Sequence, residues 1–294
     1  MQRTPKTMGL IAGWGRYPVV IAQALKRQGY EVCCVGVRDH ADPQLAEICD
    51  HYMLSGVAQL GQQIRFFKRH SVSEATMAGK IHKARLLFSR WSWLHHFPDW
   101  ITLRAYLPHF VFGTKDRKDD TLLMVIVDTF AQRGVRLAPA TDFAPELLVK
   151  AGSLTTRRVT DAQAKDIAFG WQLAKELGRL DIGQTVIVKG RAVIAVEAVE
   201  GTDECIRRAG QLCPQGGFTV VKVAKPQQDM RFDVPTIGIG TLETLAQAGG
   251  SVLAVEAEKT ILLDEPAFIA TAERLGIRVV SLRDTVDLER SDAA

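Results

Sequence analysis

The chain has 294 residues, 47% of them hydrophobic and 24% charged, the make-up of a globular protein with room for two domains of ordinary size. Its 37 basic and 33 acidic residues leave a net charge of +4, too small for bulk electrostatics to argue for a nucleic-acid partner. The five cysteines (Cys33, Cys34, Cys49, Cys205 and Cys213) are odd in number and form no C-x-x-C pair, which argues against both a disulfide framework and a structural zinc site. No uninterrupted apolar run approaches the roughly 20 residues of a membrane-spanning helix, and the N-terminus lacks a signal-peptide pattern. The expectation is a cytoplasmic protein, attached at most to the inner face of the membrane.

In chain order, Met8–Ala12 reads as a short apolar strand ending in Gly13-Trp14-Gly15, and Pro18–Arg27 as a helix closed by Gly29. Glu31–Val37 is a second buried strand, with Asp39 opening the loop beyond it. Gly56 to His70 has helical periodicity, and Ala75–Ala78 is a strand that ends at Gly79-Lys80. This β-α-β-α-β rhythm predicts a parallel sheet with helices on its faces, whose ligands sit beyond the carboxyl ends of the strands. Gly13, Gly15, Asp39, Gly79 and Lys80 all fall there. The third glycine of a G-x-G-x-x-G fingerprint is absent, because Pro18 stands in its place. A nicotinamide-dependent oxidoreductase stays open on the strength of the glycine turn and Asp39.

Between Ser89 and Phe112 the aromatic residues and histidines crowd together, from Trp91, Trp93, His95 and His96 to Trp100, Tyr106 and His109. No H-x-x-x-H spacing occurs there, so metal ligation is disfavoured. An amphipathic surface for acyl chains or a membrane fits this composition, as does an aromatic contact between domains or between the copies of a homodimer. Lys115–Asp120 is a charge run before a predicted helix, Thr121–Arg133. Asp119 and Asp120 would stand in its first turn, complementing the helix dipole or facing a diphosphate.

We place a first α/β domain at 1–138, a linker at 139–160 and a second α/β domain at 161–294. The second opens with a helix over Asp161–Leu177. Two strands follow, Thr185–Val188 and Ala192–Ala198, joined by Lys189-Gly190-Arg191, then a short helix over Asp203–Ala209. A further strand is predicted over Phe218–Ala224. Strand–helix alternation continues through Gly238–Ala248, Val252–Val255, Pro266–Leu275 and Arg278–Ser281. The fold class expected is thus two α/β domains, each with a largely parallel sheet and flanking helices.

The densest chemistry lies in Lys225–Gly238, KPQQDMRFDVPTIG, where Lys225, Asp229, Arg231 and Asp233 fall between Pro226 and Pro235 or next to them. Prolines so placed rule out a helix interior and leave an extended or looped segment. Carboxylates beside cations suit a phosphate ester bound with a hard divalent metal.

This motif, together with LGRLDIGQTVIVKG at Leu177–Gly190 and VEAVEGTDECIRR at Val196–Arg208, resembles the LpxI family. Its members are UDP-2,3-diacylglucosamine pyrophosphatases of lipid A biosynthesis. GLIAGWG near the N-terminus and RKDDTLL at Arg117–Leu123 are similar to the corresponding family segments.

The resemblance implies hydrolysis of that UDP-sugar to UMP and 2,3-diacylglucosamine 1-phosphate (lipid X), assisted by Mg²⁺ or another divalent metal, between two α/β domains. The family's functional acid falls in R-F-D-L-P-x-I-G, which matches Asp233 here, with Val234 in place of leucine. Arg231 and Lys225 would stabilise charge on the phosphoryl oxygens. Asp233, Asp229, Asp181 and Glu197 are the candidate metal ligands. Gln184, Gly201, Thr202 and Asp203 join Gly13, Gly15, Gly79, Lys80, Asp119 and Asp120 as candidate substrate contacts. Trp14 stands where the family pattern has glycine, and Lys80 where it has asparagine. No Ser-His-Asp or Cys-His arrangement is evident, so direct attack by water is expected. A non-catalytic module that binds UDP-sugar or lipid is the remaining alternative.

Overall fold

The structure, a computed structural model, describes residues 6–81, 97–111, 119–231 and 234–285, with the backbone alone at 108–111 and 119–122. The chain divides into two compact units, Met1–Pro145 with Asp229–Phe232, and Glu146–Gln228 with Asp233–Ala294. His95, His96, the charge run as far as Lys118, and Asp233 lie outside the described residues.

The first unit is built on strands β1 (Thr7–Ala12), β2 (Glu31–Val37), β3 (His51–Ser55), β4 (Glu74–Ala78) and β5 (Arg136–Ala138). They pair in the order β3-β2-β1-β4-β5, all parallel. Helices α1 (Tyr17–Arg27), α2 (Leu45–Ile48), α3 (Leu60–Arg69), α4 (Trp100–Val111) and α5 (Asp119–Ala131) connect or flank them. Central β1 and β2 are apolar and buried after their first residues, Thr7 and Glu31, because both sheet faces are covered. Edge strands β3 and β5 do not show in the strand–helix pattern. β3 reads His-Tyr-Met-Leu-Ser and fully buries only its last residue, and β5 is three residues long.

Ile11, Val35, Phe67, Phe130 and Leu137 share one core cluster, with the Phe67 and Phe130 ring centroids 6.1 Å apart. Burial of each such ring contributes about 1.5–3 kcal/mol. Cys33 and Cys34 are fully buried in β2, and burial pushes the Cys33 thiol up to about 12. Neither is set up as a nucleophile.

The second unit holds a six-stranded sheet of order β6-β13-β11-β9-β7-β8. Its strands are β6 (Gly152–Ser153), β7 (Thr185–Lys189), β8 (Ala192–Val196), β9 (Thr219–Lys222), β11 (Val252–Glu256) and β13 (Arg278–Leu282). A separate parallel pair is formed by β10 (Thr236–Ile237) and β12 (Ile261–Leu262). β9, β11 and β13 are parallel, whereas β6, β7 and β8 pair antiparallel, so this sheet is mixed. The hairpin explains the difference from strand–helix alternation: Gly190 (φ 59°) and Arg191 (φ 58°) are both left-handed, as a two-residue turn between twisted antiparallel strands requires.

Side chains on the central strands alternate between two cores. Val220, Leu253, Val255 and Val279 face α7 (Thr202–Leu212), α8 (Ile239–Gln247) and α9 (Glu265–Leu275) through Ile206, Leu245 and Phe268. Val221, Val252, Ala254 and Val280 face α6 (Asp161–Arg179) through Ile167, Trp171 and Ala174. Thr160 starts α6 with a capping box: its Oγ1 accepts from Gln163 N, and Gln163 Oε1 accepts from Thr160 N.

Candidate active site

In the first unit the chain runs outward from β1 through β2 to β3, then returns to build β4 and β5 on the other side. The strand order therefore reverses between adjacent β1 and β4, and beyond the ends of strands at such a switch point open parallel sheets place their ligands. Gly13 and Gly15 follow β1, and Gly79 and Lys80 follow β4. Trp14 N donates to Lys80 O at 2.8 Å and Lys80 N to Trp14 O at 2.9 Å, while Gly13 N reaches Ala78 O at 2.8 Å. A Cβ on Gly13 would stand 2.8 Å from Lys80 O, and one on Gly79 (φ 93°) 2.8 Å from the Gly13 carbonyl carbon. Two glycines are thus required for the backbones to meet. Trp14 and Lys80, the two departures from the family pattern, form the bridge itself and leave their side chains exposed. Pro18 lies in the first turn of α1, and Asp39 takes a left-handed conformation (φ 62°) beyond β2.

In the second unit, polar side chains gather where β8, β9 and β11 end. Buried Glu197, just past β8, accepts from Thr202 Oγ1 at 2.8 Å and Gln184 N at 3.4 Å. Lys222, also buried, donates from Nζ to Thr202 Oγ1 at 3.1 Å and Thr236 O at 3.2 Å. Gly201 (φ 84°) begins α7, so Thr202 sits at a helix N-terminus, with exposed Asp203 next to it. Lys225 Nζ donates to Asp181 Oδ1 at 2.6 Å.

Beyond β11, Glu256 is buried and accepts from Lys175 Nζ (2.5 Å), Lys259 Nζ (2.9 Å) and Ala224 N (2.8 Å). Lys175 Nζ also donates to Ala224 O at 3.0 Å. Both polar groups of Ala224 are therefore gripped by one ion pair immediately before Lys225. Sequence reasoning missed Lys222, Glu256 and Lys175. The available signal was a charge inside or closing an otherwise apolar strand, as in Phe-Thr-Val-Val-Lys-Val and Val-Leu-Ala-Val-Glu.

Arg231 forks Asp229, with Nε at 2.8 Å from Oδ1 and 3.0 Å from Oδ2 and with Nη2 closing on Oδ2. Arg231 Nη2 also lies 3.1 Å from Met124 Sδ. The guanidinium holds the Asp229 carboxyl below the usual carboxylate range, and the carboxylate raises Arg231 in turn. The structure thus pairs Asp229 with Arg231, Asp181 with Lys225, and Glu197 with Thr202. Asp119 and Asp120 open α5, and their side chains are outside the described ones.

Among the described residues the candidate metal carboxylates do not gather in one cluster of three. Their all-oxygen chemistry still suits Mg²⁺, which takes one or two carboxylates together with substrate phosphates and water. Among the described residues, the buried polar atoms without a hydrogen-bond partner include Gln184 Oε1, on the residue whose N–H donates to Glu197, and Gln228 Nε2, in the turn after Lys225. An acceptor and a donor so placed suit a hydrated ion or a polar ligand. A cavity of about 290 Å³ between α4 and α5, lined by Ile101, Arg104, Val125 and Asp128, includes none of these residues.

Residues 7–147 match the model of the LpxI N-terminal domain, and 150–280 that of the LpxI C-terminal domain. The chain belongs to the LpxI family. It is 30% identical over 286 residues to the UDP-2,3-diacylglucosamine pyrophosphatase LpxI of Caulobacter vibrioides, covering 94% of this chain and 98% of that protein. The LpxI N-terminal model thus ends two residues into the second unit, which begins at Glu146.

Proposed function

We propose that this chain is a UDP-2,3-diacylglucosamine pyrophosphatase, releasing UMP and 2,3-diacylglucosamine 1-phosphate in lipid A biosynthesis. The observation that carries this reading is the end-to-end similarity to a relative of that name, 30% identical and matched over 94% of this chain and 98% of that protein. Water attacks one phosphorus directly, and the bridging oxygen leaves on the other. Asp233, next to Val234-Pro235, orients that water. Lys225, held by Asp181, and Arg231, held by Asp229, neutralise the non-bridging oxygens as charge grows on them. The ion pairs keep both cations positioned before substrate arrives, so little reorganisation is needed at the moment of reaction.

Mg²⁺ would supply further charge neutralisation, with Asp233, Asp181 and Glu197 as its oxygen donors. Gly201 and Thr202 at the α7 N-terminus offer backbone N–H groups to a phosphate. Gly13, Gly15, Gly79 and Lys80 are further proposed substrate contacts, with Lys80 adding a cation where the family pattern has asparagine.

No helix among the described residues is long and apolar enough to cross a membrane. We propose peripheral contact with the inner membrane face instead. Exposed Phe97, Trp100, Leu103 and Leu107 recur at helical spacing on and before α4, beside exposed Arg104.

The deciding experiment follows UMP release from UDP-2,3-diacylglucosamine with Mg²⁺ for the wild type and Asp233→Ala. Release by the wild type and its loss in the folded variant are expected. A silent wild type that is stabilised by NAD alone in a thermal-shift assay would overturn the reading in favour of an oxidoreductase.

A further inference from the structure

A second constellation lies at the opposite end of the first unit's sheet from Gly13 and Gly79. Cys33 stands early in β2 and pairs in register with His51, the first residue of β3. His70 closes α3 just before the chain turns toward β4. The parallel strands make this the amino end of the sheet. The Cys33 sulfur and one nitrogen from each histidine all lie within 4.8 Å of one another. The two imidazoles stack with centroids 3.9 Å apart, and Glu31 Oε1 lies 2.8 Å from His51 Nε2.

We propose that Cys33, His51 and His70 form a site for a late first-row divalent metal ion, Zn²⁺ being the best fit. One thiolate and two imidazoles are the donor set of a tetrahedral zinc centre, with water or a fourth ligand completing it. The same set disfavours Mg²⁺ and Ca²⁺, which prefer oxygen, so this site is separate from the carboxylate chemistry of the second unit. Bonds of about 2.0–2.3 Å to a tetrahedral ion place ligand atoms roughly 3.5 Å apart, so the side chains need to close by only about an ångström. Glu31 then plays the part of the carboxylate that fixes a ligating histidine ring. His51 and His70 are partly exposed, which gives the ion a way in, while Cys33 is wholly buried behind them. On binding, Cys33 gives up its proton to solvent and the imidazoles part from their stack. The ion joins β2, β3 and the end of α3, and so clips an edge strand whose burial is otherwise slight.

The test uses the full chain freed of metal and titrated with Co²⁺ as a coloured substitute for Zn²⁺. A saturable thiolate-to-cobalt absorption band at one ion per chain is expected, bleached by added Zn²⁺. His51→Ala and His70→Ala should each weaken binding at least tenfold, and Cys33→Ser should abolish the thiolate band. Zn²⁺ should also raise the wild-type Tm in a concentration-dependent way and leave that of the His51→Ala/His70→Ala double variant unmoved. Absence of the band in the wild type, or an unchanged band in the double variant, overturns the proposal. If Cys33→Ser fails to fold, the two histidine variants decide the matter alone.

Discussion

Glu256 is the sharpest test of how the second unit holds its loop. Its carboxylate accepts from Lys175, Lys259 and the Ala224 amide, and only 4% of its side chain is exposed. Glu256→Ala removes all three acceptor contacts, strands the Ala224 N–H, and leaves Lys175 with Ala224 O and the Trp171 ring, whose centroid lies 5.8 Å from Nζ. Breaking a buried pair by removing one partner costs about 3–5 kcal/mol. Lys175 is 26% exposed and Lys259 54%, so water recovers part of that loss. We expect about 3 kcal/mol for Glu256→Ala, and about 1–2 kcal/mol for Glu256→Gln, which keeps an acceptor but loses the charge. Urea unfolding of the wild type, both variants, Lys175→Met and the Glu256→Gln/Lys175→Met double variant measures these losses and the coupling between the partners. Since the pair grips Ala224 one residue before Lys225, kcat for UMP release should fall in folded Glu256→Gln more than KM changes. A Glu256→Ala protein within about 0.5 kcal/mol of wild type would refute the energetic argument. Unchanged kcat in a destabilised variant would refute the link to the loop.

Asp166 on α6 accepts from Gly190 N at 3.0 Å and Arg191 N at 2.6 Å, holding a hairpin turn whose arginine is left-handed. Asp166→Ala should cost about 2–3 kcal/mol in urea unfolding, and a smaller loss for Arg191→Gly, or a gain, would locate the strain at the arginine. Asp229 is depressed by Arg231, so its contribution to stability is complete above the unfolded carboxylate range near pH 4 and disappears as pH falls through the lower folded value. Asp229→Asn should therefore flatten the acid limb of stability measured between about pH 2 and 5, and an identical acid limb would contradict the pairing. For the exposed stripe on α4, Trp100→Ala with Leu103→Ala should abolish co-sedimentation with anionic phospholipid vesicles while leaving Tm unchanged. Equal sedimentation of both proteins would remove the membrane surface from consideration.

What the sequence determined is set by local pattern. Largely apolar runs announced β1, β2, β9 and β11, because strands covered on both faces bury most of their side chains in apolar surroundings. Gly190-Arg191 announced a hairpin, and the prolines at 226 and 235 announced a loop that concentrates charge. Edge strands β3 and β5 were silent, since one neighbour and partial burial impose little on their composition. Only the tertiary structure could assign partners. Asp181 meets Lys225 across 44 residues, and Glu256 meets Lys175 across 81. Those pairings depend on which strand lies beside which and in what register, a choice made by the packing of two cores rather than by any residue's near neighbours. A carboxylate at the end of a strand reads the same in sequence whether it faces solvent or, like Glu256, is buried among cations.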